Sequence, residues 1–192
     1  MERVFYWIYD SPDYLKEVFK LSNKYYLEAI KLMVKNGVDA IIISEDLGDN
    51  KALFFKSDIM KKILFPFLEE LIISIKSFNI PVIIHCDGNI NEILKDLINL
   101  GIDAYHPVQK SAGMDIFNIR KIYDNKICLI GNMEIKKLET ANPKEVLGEA
   151  ENLILNVGKN GAYVLASEHS LNDRMLVENI KILREAVCNI KL

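Results

Sequence analysis

The chain has three histidines in 192 residues, and each stands where a short apolar run ends. His85 follows Val82-Ile83-Ile84, His106 follows Ile102-Asp103-Ala104-Tyr105, and His169 comes three residues after Tyr163-Val164-Leu165-Ala166. Polar groups hold the matching places elsewhere: Glu45 and Asp46 come just after Ala40-Ile41-Ile42-Ile43, and Asn132 follows Ile127-Cys128-Leu129-Ile130-Gly131. Residues two apart on an extended strand point the same way, so His85 and Asp87 share a face and Cys86 turns away as a structural thiol. Imidazole and carboxylate are ligands for divalent ions. His85, Asp87 and His169 have the types that suit zinc, iron, manganese or cobalt, with positions left open for substrate. Such an ion acts as a Lewis acid or lowers the pKa of a bound nucleophile.

Glu45 and Asp46 are the catalytic candidates, Glu45 as general base or fourth ligand and Asp46 as a group that orients substrate. His106 and Asn132 are candidates for lining the substrate pocket. Each residue has a plainer use as well. Asp87 before Gly88 can close an Asx turn, Glu45-Asp46 can open a solvated loop, and His106 before Pro107 can fix one. What favours a site is that all three histidines fall at strand ends.

The elements that must position these groups follow from local signals. Ser11-Pro12-Asp13 starts a helix with Ser11 as cap, and apolar residues at helical spacing carry it over 14–35 to Gly37. Ser57 caps a second helix, and Pro66 kinks or breaks it. Pro81-Val-Ile-Ile-His-Cys-Asp-Gly-Asn89 is the central stretch: a buried strand, a glycine turn, then Asn89 capping a helix from Ile90 with Glu92 completing a capping box. Gly37-Val38-Asp39-Ala40 and Gly101-Ile102-Asp103-Ala104 are the same helix-to-strand joint used twice. Helices over 115–123, 144–157 (started by Asn142-Pro143) and 175–187 complete the series. Five short strands separated by helices predict an α/β fold with a parallel sheet and helical crossovers. In such sheets the C-terminal strand ends share one rim, where ligands bind.

Half of the residues are hydrophobic, enough for one substantial core, and no linker or shift of composition divides residues 1–192. A net charge of −3 argues against an electrostatic nucleic-acid binder. No apolar run reaches membrane-spanning length, and the N-terminus lacks a signal peptide's apolar core. Cys86, Cys128 and Cys188 are few and far apart, which fits a reducing cytoplasm rather than a disulfide framework. Cys128 and Cys188 read as packing residues.

The ordered set Glu45-Asp46-Leu47-Gly48, Pro66, His85-Cys86-Asp87-Gly88-Asn89, Gly101-Ile102-Asp103-Ala104, Gly113-Met114-Asp115-Ile116, Gly131-Asn132-Met133 and Gly161 to His169, with Glu178-Asn179, resembles the uroporphyrinogen decarboxylase superfamily. The resemblance implies a (β/α)8 barrel of which this chain is the C-terminal part, a partial TIM barrel. It lies nearest the cobamide-dependent methyltransferase branch, where a His-x-Cys pair and a later Cys hold zinc. On that mapping His85 keeps the histidine place, Asp87 takes the first cysteine place and His169 the second. The set is harder than one with two thiolates, so the metal need not be zinc, although zinc leads. The decarboxylase branch draws substrate-binding arginines and an essential aspartate from an N-terminal region without counterpart here, so porphyrinogen decarboxylation is not expected.

The expected reaction is methyl transfer from or to a corrinoid, reached through a partner protein, with a methylated small molecule as substrate. Five strands do not close a barrel, so a complementary barrel subunit or a homo-oligomer is the other expectation. The competing reading is a non-catalytic half-barrel that binds a partner subunit or corrinoid protein, or a decarboxylase-like remnant.

Overall fold

The computed structural model describes residues 2–191. The reading of residues 1–192 as one domain extends to Met1 and Leu192, which lie outside the described residues. Five strands, β1 (Ile41–Ser44), β2 (Val82–His85), β3 (Ala104–His106), β4 (Cys128–Met133) and β5 (Tyr163–Ser167), form one sheet in sequence order. Every neighbouring pair is parallel. Because each connection steps to the next strand in one direction, the right-handed crossover rule puts the helices on a single face. The chain is an α/β fold, five strands of a partial TIM barrel with one face covered.

Burial along the strands records those two faces. Val82, Ile84 and Cys86 are fully buried beneath the helices, while Ile83, His85 and Asp87 between them are only partly covered. On the open face Ile42 is 60% and Val164 47% exposed. One hydrophobic cluster joins the covered face of the sheet to the helices, and a smaller one gathers Ile8, Leu15 and Ile63.

Helices α1 (Glu2–Asp10) and α2 (Pro12–Lys35) precede the sheet. Then α3 (Ser57–Ile63) and α4 (Phe65–Lys76) connect β1 to β2, α5 (Leu94–Leu100) connects β2 to β3, and α6 (Ile116–Tyr123) connects β3 to β4. The last connection carries α7 (Ile135–Thr140) and α8 (Pro143–Val157), and α9 (Val177–Asn189) follows β5. The sequence signals miss α1 and α7, which are short, and α7 starts at Glu134 without a side-chain capping bond. Ser11 does stand at the N-cap of α2, but its side chain makes no capping bond. Lys56, not Ser57, stands at the N-cap of α3, and no side chain caps that helix. Pro66 falls in the first turn of α4, so the expected break comes at Leu64.

One correction concerns the central stretch. The helix after β2 begins at Leu94 rather than Ile90 and has no side-chain cap. Asn89 uses its Oδ1 to accept from the Asn91 N–H (3.2 Å) and the Asn91 amide (3.0 Å), an Asx turn in place of the expected capping box. By contrast, Asn142 and Glu145 do form a reciprocal capping box. Helix α8 then buries Val146, Ala150, Leu153, Ile154 and Val157, a spacing that puts all five on the side facing the core.

Candidate functional site

Register builds the site before any side chain is considered. His85 and His106 are Cα partners across β2 and β3, so both rings leave the sheet on the open face, side by side. Their Nδ1 atoms are 2.8 Å apart, and the ring centroids 5.0 Å. One of these nitrogens donates and the other accepts, so the two rings cannot both be fully protonated. Burial, and then the neighbouring His85 ring, push the His106 pKa below the ordinary imidazole value.

Asp87 lies two residues past His85 on the same face. Its Oδ2 is 3.9 Å from His85 Nε2 and 3.5 Å from His169 Nε2. Both separations exceed a normal hydrogen bond. The other oxygen, Oδ1, is buried and has no hydrogen-bond partner among the described residues. Asp46, two residues past the end of β1, accepts a long bond from the Asp87 N–H (3.4 Å). Asp46, His85 and Asp87 each offer a ligand atom, and the three atoms lie within 4.8 Å of one another. His85, Asp87, His106 and His169 line a hollow of about 240 Å³ completed by Ser167, Ser170 and Leu171.

The backbone beneath this cluster is held closely. Gly88 has φ +86°, and a Cβ there would stand 2.6 Å from the Asp49 carbonyl oxygen, so the turn after Asp87 admits glycine alone. The Gly88 N–H donates to Gln109 Oε1 (2.7 Å), and the Leu47 N–H donates to the buried Cys86 sulfur (3.2 Å). Burial pushes the Cys86 thiol up to about 12, and the side chain is wholly buried on the face opposite His85 and Asp87. It is the structural thiol that strand alternation predicts. Cys128 is half-buried and Cys188 exposed.

The remaining candidates lie apart from the cluster. Glu45 alternates onto the covered side of β1, where it lines a hollow with Tyr26, Ile30, Met33, Leu71 and Ile75. Burial, and then the charge of Asp46, raise its carboxyl pKa. Asn132 is buried, and its amide donates to the Val108 (2.9 Å) and Met114 (3.4 Å) carbonyls, bracing the loop after β3. Sequence reasoning assigns no role to Gln109 or to Glu168 as organisers of the rim. Both are buried, and Glu168 accepts from the Ser111 (2.9 Å) and Ile135 (3.3 Å) N–H groups. Their signal was position: each follows a strand end closely.

A donor set of imidazole and carboxylates, one of them with an orphaned buried oxygen, fits a divalent cation. Asp46, His85 and Asp87 are the residues able to hold it, with His169 beside them. Asp46 therefore joins the possible ligands instead of standing only among the catalytic candidates.

The family model for uroporphyrinogen decarboxylase (URO-D) matches residues 1–190. The chain belongs to the uroporphyrinogen decarboxylase family. The uroporphyrinogen decarboxylase of Chlorobium phaeovibrioides is 30% identical over 159 residues, 80% of this chain and 43% of that protein. That of Chlorobium luteolum is 28% identical over 165 residues, 83% of this chain and 44% of that protein. The chain thus spans less than half the length of these curated relatives. A solved structure titled methyltransferase from Methanosarcina mazei superposes with a TM-score of 0.78 at 21% identity, covering 97% of this chain and 52% of that one. At that identity the likeness is one of fold. Within the uroporphyrinogen decarboxylase family fold, the histidine cluster sits at the C-terminal rim of the sheet, the position barrel enzymes use for chemistry.

Proposed function

We propose that this member of the uroporphyrinogen decarboxylase family is a metal-dependent, methyltransferase-like protein that acts on a small methylated substrate. The observation that carries the reading is the convergence of Asp46, His85 and Asp87 within 4.8 Å on one rim. The buried, unpartnered Oδ1 of Asp87 supports it, because such an atom is costly unless a cation or proton satisfies it. His169 completes the set from the far edge of the sheet. The name of the Methanosarcina mazei neighbour supports methyl transfer, with a corrinoid delivered by a partner as the methyl carrier.

When bound, a divalent ion would supply Lewis acidity toward the heteroatom that carries the substrate's methyl group, and in the reverse direction would lower the pKa of the group that accepts it. Zinc leads, and the oxygen-rich donor set also suits manganese, iron or cobalt. The protein's own groups bind and orient. His85 and Asp87 hold one wall of the hollow, Leu171 offers an apolar surface to a methyl group, and Ser167 and Ser170 offer hydroxyls. The hollow of about 240 Å³ shares Asp87 with a second one of about 390 Å³ lined by Asp46, Gly48 and Asp49. His106 lines the same hollow, Asn132 holds the loop above it, and Glu45 serves as a base only if the β1 end rearranges.

A second reading, a non-catalytic half-barrel that binds a partner, is favoured by β1 and β5, each of which pairs on one side only among the described residues. Elemental analysis of protein purified without added metal separates the two, together with methyl transfer from methylcobalamin to a small thiol. The enzyme reading expects near-stoichiometric metal that Asp87→Ala and His85→Ala release, with loss of transfer. A chain that takes up no zinc, cobalt, iron or manganese overturns it.

A further inference from the structure

The contact between the His85 and His106 rings remains unused by that reading, which assigns His106 only to the pocket wall. We propose that His106 is a positioning residue. It accepts a hydrogen bond from Nδ1 of His85 and so fixes the His85 tautomer whose Nε2 lone pair is free for the metal site formed with Asp46 and Asp87. The inference rests on the metal-binding reading above.

A neutral imidazole carries one N–H and one bare nitrogen, and a metal ligand must offer the bare one. Nδ1 of His85 is engaged with His106 at 2.8 Å, so Nε2 is the nitrogen available to an ion. Nε2 is also the atom turned toward Asp87, at 3.9 Å from Oδ2. That distance is too long for the carboxylate to hold a proton on Nε2 by a hydrogen bond. If Nε2 is bare, Nδ1 carries the proton and donates it. Nδ1 of His106 must then be the acceptor, and the proton of His106 sits on its own Nε2.

The two tautomers are therefore linked, and binding an ion to one ring dictates the state of the other. Partners of this kind, on the far nitrogen of a metal-bound histidine, fix ring orientation and raise ligand basicity. Here the partner comes from the adjacent strand at a paired register position, so its placement follows from the sheet. The consequence reaches the substrate. His106 lines the hollow, and with its Nδ1 accepting from His85 its Nε2 is a donor rather than an acceptor. A substrate group lying against it must accept a hydrogen bond.

The test is Co(II) titration of the wild type, His106→Leu and His106→Asn, followed by the visible absorption of the bound ion. Proton–nitrogen NMR of the labelled imidazoles in the zinc-loaded wild type accompanies it. His106→Leu is expected to weaken Co(II) binding by about 10- to 100-fold. His106→Asn, whose Oδ1 falls where Nδ1 stood, is expected to recover most of the loss, which a bulk-filling role would not explain. The spectra should show the proton on Nδ1 of His85 and on Nε2 of His106. Wild-type affinity in both variants, or a proton on Nδ1 of His106, overturns the inference and leaves the metal reading standing. A wild type that binds no Co(II) overturns the metal reading itself, and the inference with it. If His106→Leu fails to fold by circular dichroism, the His106→Asn titration and the spectra decide.

Discussion

Two acidic residues that follow one another in sequence end in opposite environments. Asp46 alternates to the open face and joins His85 and Asp87, while Glu45 turns under the helices among Tyr26, Ile30 and Met33. Burial raises the pKa of Glu45 from its ordinary 4.5, and the negative charge of Asp46 adds to the rise. Between that ordinary value and the higher folded one, the native state binds more protons than the unfolded state, so stability falls as pH rises. Glu45→Gln removes this cost. Its melting temperature should exceed that of the wild type above the folded pKa, with the gain shrinking to nothing as pH drops below 4.5. A pH series of thermal melts checks it. An unchanged difference across the series would mean that Glu45 is not perturbed by burial.

At the scale of elements, turns and caps do the positioning. The Gly88 turn lets Asp87 leave β2 while the chain closes against Asp49, and Gln109 holds it from the loop after β3. The helices answer to their own local chemistry, and α8 is the clearest case, with the Asn142–Glu145 box at its start. Asn142→Ala should cost about 1 kcal/mol of stability. The expected readout is a lower denaturant midpoint at unchanged slope, with Co(II) uptake retained because no residue of α8 belongs to the cluster. Loss of metal binding alongside stability would mean that the ion pair from Glu149 of α8 to Lys110 (2.6 Å) carries the state of the helix to the loop after β3.

For the molecule as a whole, the sheet is an arc. Strands β1 and β5 each pair on one side only among the described residues, and the face between them bears exposed Ile42 and Val164. Unpaired strand edges beside apolar surface are templates for association. Sedimentation velocity is expected to show concentration-dependent association of this chain, reduced by Ile42→Lys, which places a charge on the open face beside the β1 edge. A monomer at all concentrations, or association indifferent to Ile42→Lys, would rule out the β1 side as the contact. Among the described residues no helix is long and apolar enough to cross a membrane.

The parallel α/β architecture, the strands and most of the helices were legible in the chain because each rests on local physics. Apolar runs of four to six residues, glycine stops and Asn142-Pro143 act within a few residues of themselves. The pairing of His85 with Asp87 was legible too, since strand alternation is a two-residue rule. Other features needed the tertiary structure. Whether Asn89 caps a helix or closes an Asx turn depended on where neighbouring loops held the chain, and α7 had no side-chain cap to announce it. That His85 meets His106 is a matter of register between β2 and β3, which periodicity within one strand does not encode. The separation of Asp46 from Glu45 follows the same alternation, but the joining of Asp46 to His85 and Asp87 depended on the register of β1 against β2, and the approach of His169 on the path of the chain after β5. Residue types and strand ends were written locally; distances across the rim arise from the packing of segments far apart in sequence.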